Sequence, residues 1–538
     1  MNKPTKNKYS LLTSLPFSVF IFCLLACVVP ESNAQTTKRI EFPVVNNDAP
    51  YRVIPLGAKG VLVANRGLKN NFILNKLNGD FERDWGVEVQ LEDGFDLVAT
   101  DYDGQSVFLL FGGGKNEYYQ VVKVNVGPGF IENFFLQVLD KFQITEFKTL
   151  GYSVFLAGMV RDEPVFVYTN LANKQTKLLP SVAKQGSVIQ AIEIDTTNHL
   201  VNVAYALRRG KDVRLVARTY NEDGQQVAQV VVDPEDDYSL LNGRLFVLSD
   251  STKLMIGTYG FRNMQSNGNP TAQGIFISKI TDGEVDFTQY HSFTDFQNFF
   301  KFMDPKQQAR MEDRIKRKKE RGDDLKLNYR VLVHDVIQKD GNFILVGEIY
   351  NPEYRYNNNP FGYNNSFGGP MMMSPFGGFN SFYSPWGLRN PYFGNPWYGT
   401  GRFNNNNQIF DGYTYTHAVV AGFDQKGALI WDNSLPFENV RTAELKEKVK
   451  VKLNTDSTMS LFYSNNGTIK SKIVKGNEVI EGQHNISIGA LDPNDKVRST
   501  NTDEVEFWFD NHYLAWGYQR IAGEDGRRSV FYLNKIEF

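Results

Sequence analysis

An all-β ring of eight four-stranded blades is the fold class predicted, and three observations carry it. The first is a repeated pairing of a turn with a short apolar run. Gly60–Ala64, Ser106–Leu110, Ser153–Ala157 and His199–Val203 begin 46, 47 and 46 residues apart, and Lys253–Gly257, Asn342–Gly347, Met459–Tyr463 and His512–Gly517 follow at wider intervals. The second is the content of each unit, which is rich in β-branched and aromatic residues between Gly, Asn and Asp turns. The third is length: 538 residues with no composition break exceed one ordinary core, whereas in a ring each blade buries its faces against its neighbours. A period in the forties built from short strands is the signature of a β-propeller. Seven blades is the alternative, should the weakest unit, residues 445 to 487, prove an outlying hairpin.

Residues 1 to 34 come first and read as an export signal. Lys3, Lys6 and Lys8 precede an apolar stretch from Leu11 to Val29, and Ser32-Asn33-Ala34 forms a small-x-small cleavage site before Gln35. An uncleaved anchor is one alternative, since 19 apolar residues just span a bilayer. Lipidation is another: Leu24-Leu25-Ala26-Cys27 resembles a bacterial lipobox, in which Cys27 becomes the acylated first residue. The expected location is therefore secreted or periplasmic, with a membrane-anchored lipoprotein as the other outcome. Cleavage after Ala34 removes both cysteines, Cys23 and Cys27, leaving neither disulfide nor thiol chemistry to the mature chain. It also removes three lysines and Glu31, so the formal charge moves from -2 to -4. That balance argues against nucleic acid as a partner, and a membrane is expected only through Cys27 or an uncleaved signal.

From residue 35 to 538 a single propeller domain is predicted. Unit two shows the plan. Phe95–Ala99 leads through Asp101-Tyr102-Asp103-Gly104 to Ser106–Phe111, then through Gly112-Gly113-Gly114 to Tyr118–Val124, and finally to Phe134–Val138. Third strands are placed at Asn71–Lys76, Pro164–Tyr168, Asp212–Thr219, Gly274–Ile280, His417–Phe423, Thr468–Val474 and Ser529–Leu533. The last unit runs out of chain before its fourth strand, while Lys38–Val44 stands unassigned before unit one. That segment is expected to complete the final blade and close the ring, removing two exposed sheet edges.

Two insertions interrupt the repeat. Residues 302 to 325 contain an Asp304 cap, Pro305 at the first helical position and Gly322 beyond the last turn, which together punctuate a helix. Its basic residues, Lys316 to Lys319 and Arg321, are diluted by Glu312, Asp313, Glu320, Asp323 and Asp324. The helix reads as solvated and docked through Met311 and Ile315, with contact to an anionic surface as the second reading. Residues 351 to 411 are low in charge and crowded with Asn, Gly, Met and aromatics, the composition of a long loop. Tyr383, Trp386, Tyr392, Phe393, Trp397 and Tyr398 within it are the candidate contacts for a protein or glycan partner.

No catalytic, cofactor or metal residue is nominated. The six histidines, at 199, 291, 334, 417, 484 and 512, show no close ligand spacing, and His199 and His512 are read as turn residues. Asp101-Tyr102-Asp103-Gly104 lacks the later oxygen ligands of a calcium loop and occupies the same place as Asp250-Ser251, Lys339-Asp340-Gly341 and Asp456-Ser457, so a hairpin turn explains it. Nucleophile-elbow, P-loop and dinucleotide fingerprints are absent from the sequence. On these turn-led units, without the Trp-Asp ending of the WD repeat, residues 38 to 538 resemble exported β-propeller repeat proteins as a class, and the resemblance transfers no catalytic residue. The functional expectation is an exported, non-catalytic binding or scaffold propeller that presents loops to a protein or glycan. The alternative is an enzyme acting on a polysaccharide or small metabolite in the central channel, where carboxylates distant in sequence could meet.

Overall fold

The computed structural model describes residues 35–44, 51–113, 117–161, 163–180, 187–265, 270–334, 336–356, 408–443, 445–524 and 526–537. Eight antiparallel sheets follow one another along the chain, each meandering from an inner first strand to an outer fourth. Blade one comprises Arg52–Pro55, Val61–Arg66, Asn71–Leu77 and Arg83–Gln90. Blade two comprises Asp96–Tyr102, Ser106–Gly112, Tyr118–Asn125 and Ile131–Gln137. The stretch 445 to 487 holds a complete blade, with strands Lys450–Leu453, Met459–Asn465, Thr468–Lys475 and Glu478–Ser487, so the ring has eight blades.

All eight turn-led apolar runs are second strands, and the reason is burial. A second strand has a strand on either side within its sheet and a neighbouring blade over each face, so it reads as a continuous apolar run rather than an alternation. Every residue of Ser106–Gly112 is buried. The outer strand Gln226–Val232, by contrast, is exposed along most of its length. Successive blades share their cores: Ile54, Leu62 and Leu74 of blade one pack with Val107, Leu109 and Phe111 of blade two. Phe108 and Leu110 of blade two pack in turn with Phe147, Val154 and Leu156 of blade three.

The N-terminal strand, Gln35–Pro43, pairs antiparallel with the last strand, Gly526–Glu537, in a register that sets Ile40 opposite Leu533 and Pro43 opposite Val530. It is the outer strand of blade eight, as the unfinished last unit predicts. Arg39 inserts its guanidinium into that blade, donating to Gln519 Oε1 at 2.7 Å and Asn534 Oδ1 at 3.2 Å, and pairs with Glu41 at 2.9 Å. Phe42 and Tyr51 pack on Phe531 beside it. The first and last described strands are thus locked into one sheet.

Hairpin turns follow the predicted chemistry. Asp103 Oδ1 accepts the N–H groups of Gln105 and Ser106, at 2.8 and 2.6 Å, and Gly104 takes φ +90°. At the equivalent place in blade seven Asp456 Oδ1 accepts from Thr458 N at 3.0 Å. His199 sits in a turn at φ +54°. His512 differs from its reading as a turn residue: it opens the strand His512–Gly523 opposite Phe509, because the turn closes one residue earlier.

The helix spans Pro305–Glu320. Asp304 caps it by accepting from the N–H groups of Lys306 and Gln307, both at 3.0 Å, and Gly322 follows at φ +70°. Met311 and Ile315 pack against the core as expected. The sequence reading missed its base, the two short 3-10 turns Phe293–Asp295 and Phe299–Phe302. Phe302 stacks on the buried ring of His417 at 3.9 Å, and Asp432 accepts from the N–H groups of Gln297 and Asn298, both at 2.7 Å.

In blade six the second and third strands run on as Asn342–Tyr356 and Gln408–Phe423, paired out to Tyr356 opposite Gln408. The paired stem therefore reaches into the stretch whose composition reads as loop. Asn and Gly dominate that composition only from about residue 357, whereas the flanks carry β-forming residues such as Ile349, Tyr350, Tyr413 and Tyr415.

Candidate functional site

Strand direction alternates within each blade, so connections from second to third strand and from blade to blade leave the ring on the same face. That face carries the helix between blades five and six, the extended stem of blade six and the link from blade six to blade seven. The stem is braced by Arg441, whose guanidinium meets Asp411 at 2.6 Å and Glu353 at 2.7 Å. Tyr383, Trp386, Tyr392, Phe393, Trp397 and Tyr398 fall between the stem's two strands and lie outside the described residues, as do Cys27 and the cleavage site after Ala34.

The link from blade six to seven enters the channel, and there the inner strands bring charges together. Lysines alternate along Lys446, Lys448 and Lys450, so that they share one side of the segment. They meet the inner strand of blade eight: Lys446 pairs with Glu504, Lys448 with Glu504 at 3.4 Å, and Lys450 with Glu506 at 3.6 Å. Burial alone would raise the Glu504 pKa, but the three lysines outweigh it and hold the carboxyl at about 2. Burial would likewise lower Lys450, and Glu506, Glu447 and Glu504 reverse that, leaving its pKa raised.

Glu447 points the other way, towards blades four to six. His334 Nδ1 lies 3.9 Å from its carboxylate and Arg244 3.7 Å, while Arg244 also holds Glu193 of blade four at 3.2 Å. His334 Nε2 lies 2.9 Å from Glu348 Oε1, an oxygen that also accepts from the N–H groups of Lys448 and Val449 at 2.7 and 2.6 Å. The fully buried Glu348 thereby pins the link to blade six. Desolvation would lower the His334 pKa, yet Glu447 and Glu348 together raise it. Glu447 is lowered despite its own burial, by His334, Lys450, Arg244 and Lys148. Residues from blades three to eight thus form one network across the channel, and its acids face cations.

Such a network binds the ring together more readily than it performs acid–base chemistry. A general acid at neutral pH needs a carboxyl held protonated, whereas Glu447 and Glu504 are held ionised. Among the described residues the acid with a raised pKa is Asp432, pushed up by burial, and it is occupied in anchoring the helix base. Among the described residues no group of three or more His, Asp or Glu side chains is arranged to hold a metal ion. His417, in its aromatic box, is pushed down to about 3 by burial. Lys472 is lowered to about 8 by burial and by Lys301, and its amine donates to Asn433 Oδ1 at 2.9 Å and Ser434 O at 2.6 Å. Between blades one and two a groove of about 480 Å³ is lined by Lys59, Lys76, Asp84, Gln105 and Asn125.

The channel network was missed in the sequence, although two signals pointed to it. Lys446, Lys448, Lys450 and Lys452 alternate, as do Glu504 and Glu506, a period that puts each set on one side of a strand. Nothing local says that the two sets face each other. Of the histidines, His199 is exposed and pairs with Glu222 at 3.1 Å, His291 meets Gly427 O at 2.6 Å, and only His334 belongs to the network.

Among the described residues no helix is long and apolar enough to cross a membrane. No family model and no curated protein matches the chain. Solved structures similar to it include polysaccharide lyase Uly1, at 9% identity over 82% of this chain and 89% of that one, with a TM-score of 0.39. A prolyl endopeptidase follows at 8% identity, 82% of this chain, half of that one and a TM-score of 0.35. A Synechocystis apocarotenoid oxygenase matches at 7% identity, 46% and 63% coverage and a TM-score of 0.29. Likenesses of this size say nothing of the chemistry. The chain's own topology establishes what it is at the level of fold: an eight-bladed β-propeller closed by its N-terminal strand.

Proposed function

We propose that the protein is an exported, non-catalytic binding or scaffold propeller that offers one face to a protein or glycan partner. The observation that carries this reading is the grouping of the helix, the braced stem of blade six and the link from blade six to seven on a single face. The neutralised channel network supports it, because its charges are engaged with one another. Export follows from residues 1 to 34, with cleavage after Ala34 releasing a free chain. A lipid on Cys27 would tether the same propeller to a membrane without changing the face it presents.

An enzyme acting on a polysaccharide or small metabolite is the second reading. The convergence of His334, Glu348 and Glu447 in the channel is the observation that favours it.

Replacing residues 357 to 407 by a short turn tests the first reading, in material whose intact mass shows Gln35 as its first residue. Folding should survive, because the segment joins neighbouring strands of one hairpin and loop length adds little closure entropy. Partners recovered by pulldown, or signals on a glycan array, should be lost. If every partner and signal persisted, the face would lose its proposed role. Turnover of a polysaccharide that vanished in a Glu447→Gln variant would establish the enzyme instead.

A further inference from the structure

The helix Pro305–Glu320 sorts its charges in a way that the sequence alone obscures. Gln308, Met311, Ile315 and Lys318 turn towards the propeller, and Met311 and Ile315 pack on its core. Lys318 pairs with Asp323 at 3.0 Å and Lys319 with Asp295 at 2.7 Å. Six cations remain, all exposed, and apart from Lys316 they are Lys306, Arg310, Arg314, Arg317 and Arg321. At about 100° per residue these five fall within about 80° of arc and form one stripe roughly 22 Å long. Glu312 lies well away from the stripe, Asp313 and Glu320 flank one edge of it, and among the described residues none of the five cations forms an ion pair. Arg317 Nε donates to the main-chain oxygen of Asp313 at 3.2 Å. Between residues 306 and 321 eight cations stand against three carboxylates, in a chain whose formal charge is -2.

We propose that this stripe binds a linear acidic polysaccharide bearing carboxylate groups. The proposal rests on the reading of the chain as an exported binding propeller and names the chemistry of one partner. Four of the five cations are arginine, whose planar fork meets a carboxylate with two parallel hydrogen bonds. Successive arginines are about 4.5 to 6 Å apart along the axis, so an extended polymer with acid groups at regular intervals can meet several without bending. The platform is rigid: Asp304 caps the helix, and its Phe-rich base is held by His417 and Asp432. An anionic membrane fits less well, since interfacial helices present Trp, Phe or Leu beside their basic face, and here both large apolar side chains turn inward. Nucleic acid fits less well too, because the rest of the surface supplies no net positive field.

The test uses the chain from Gln35 to Phe538 with polygalacturonate as the probe. Binding should be measurable at low ionic strength, should weaken as salt screens the exposed charges, and should be absent with dextran. A combined Arg310→Gln, Arg314→Gln, Arg317→Gln variant should lose roughly tenfold or more in affinity, from three exposed charge pairs of ordinary size. It should unfold at the parent temperature, since these side chains touch nothing buried. Lys316→Gln, off the stripe, should bind like the parent. Failure of the parent to bind, equal binding by the triple variant, or tighter binding to phosphatidylglycerol vesicles or single-stranded DNA would each overturn the proposal. The chain lacking residues 357 to 407 separates the two readings. Loss of its pulldown partners alongside unchanged polygalacturonate binding by the triple variant would sink this inference and leave the binding propeller standing.

Discussion

The interface between blades two and three and the interface between blades seven and eight perform the same task with opposite chemistry. The first joins Phe108, Leu110, Val121 and Leu136 to Phe142, Phe147, Val154 and Leu156, all buried and all apolar. The second keeps a smaller apolar cluster, with Phe462, Ile469, Val505 and Tyr513. Towards the channel it then continues as a zipper of Lys446, Lys448 and Lys450 on Glu504 and Glu506. Apolar burial is indifferent to pH and strengthens with area. Ion pairs depend on both partners keeping their charge and gain little over well-packed apolar groups. The difference teaches that this ring is not uniformly held, and that blade eight, bounded by the zipper on one side, depends on the N-terminal strand to complete its sheet.

The largest expected effect therefore comes from removing that strand. A chain beginning after Pro43 would lose the pairing with Gly526–Glu537, the packing of Ile40 and Phe42, and the bonds that Arg39 gives Gln519 and Asn534. Fully burying a large apolar side chain contributes about 1.5 to 3 kcal/mol, the half-buried Ile40 and Phe42 contribute less, and each buried polar group left unpaired costs about 1 to 3 kcal/mol. Together with the lost main-chain pairing the total is on the order of 5 kcal/mol. Thermal unfolding followed by circular dichroism should show the loss of the cooperative transition or a large fall in its midpoint. A midpoint within a few degrees of the parent would mean that the ring does not depend on this closure.

Phe108→Ala cuts the apolar interface at its centre. The ring is fully buried, and truncations of this kind cost about 3 to 5 kcal/mol. Denaturant titration should return that loss equally at pH 7 and pH 4, since no titratable group is involved. A cost that changed markedly between the two would show that the apolar interface is coupled to the charged one.

The same contrast explains what the sequence disclosed. Ser106–Leu110 and Ser153–Ala157 announce themselves because a strand buried on both faces must be apolar throughout, and that is a local property. Lys38–Val44 could be assigned by elimination, one blade lacking a strand and one strand lacking a blade. The inner strand of blade seven reads Lys450-Val451-Lys452-Leu453, a pattern that by itself suits solvent. Its lysines find partners over fifty residues away, Lys450 at Glu506 and Lys452 at Asp510 O and Asn511, and no spacing rule reaches that far. The aromatic base of the helix was missed for a related reason: Phe293 to Phe302 carries no strong punctuation, and its partner His417 lies on another strand. The arginine stripe was hidden by counting charges along the chain, where Glu312, Asp313 and Glu320 intervene, instead of around the helix.

Glu504→Gln sharpens the comparison most finely, because it removes one charge and almost no volume. The carboxyl is held at about 2 in the folded protein, against an ordinary value of 4.5. A depressed folded pKa means that the stabilisation is fully present above about pH 4.5 and disappears as pH falls towards 2. The shift corresponds to at most about 3 kcal/mol, and less to the extent that the amide oxygen still accepts from Lys446. Stability of parent and variant, measured by denaturant titration from pH 7 downwards, should differ most at neutral pH and converge near pH 2, whereas Phe108→Ala should run parallel to the parent throughout. Parallel curves for Glu504→Gln would show that Lys446 and Lys448 find other partners, and that the seventh interface is held by its apolar cluster alone.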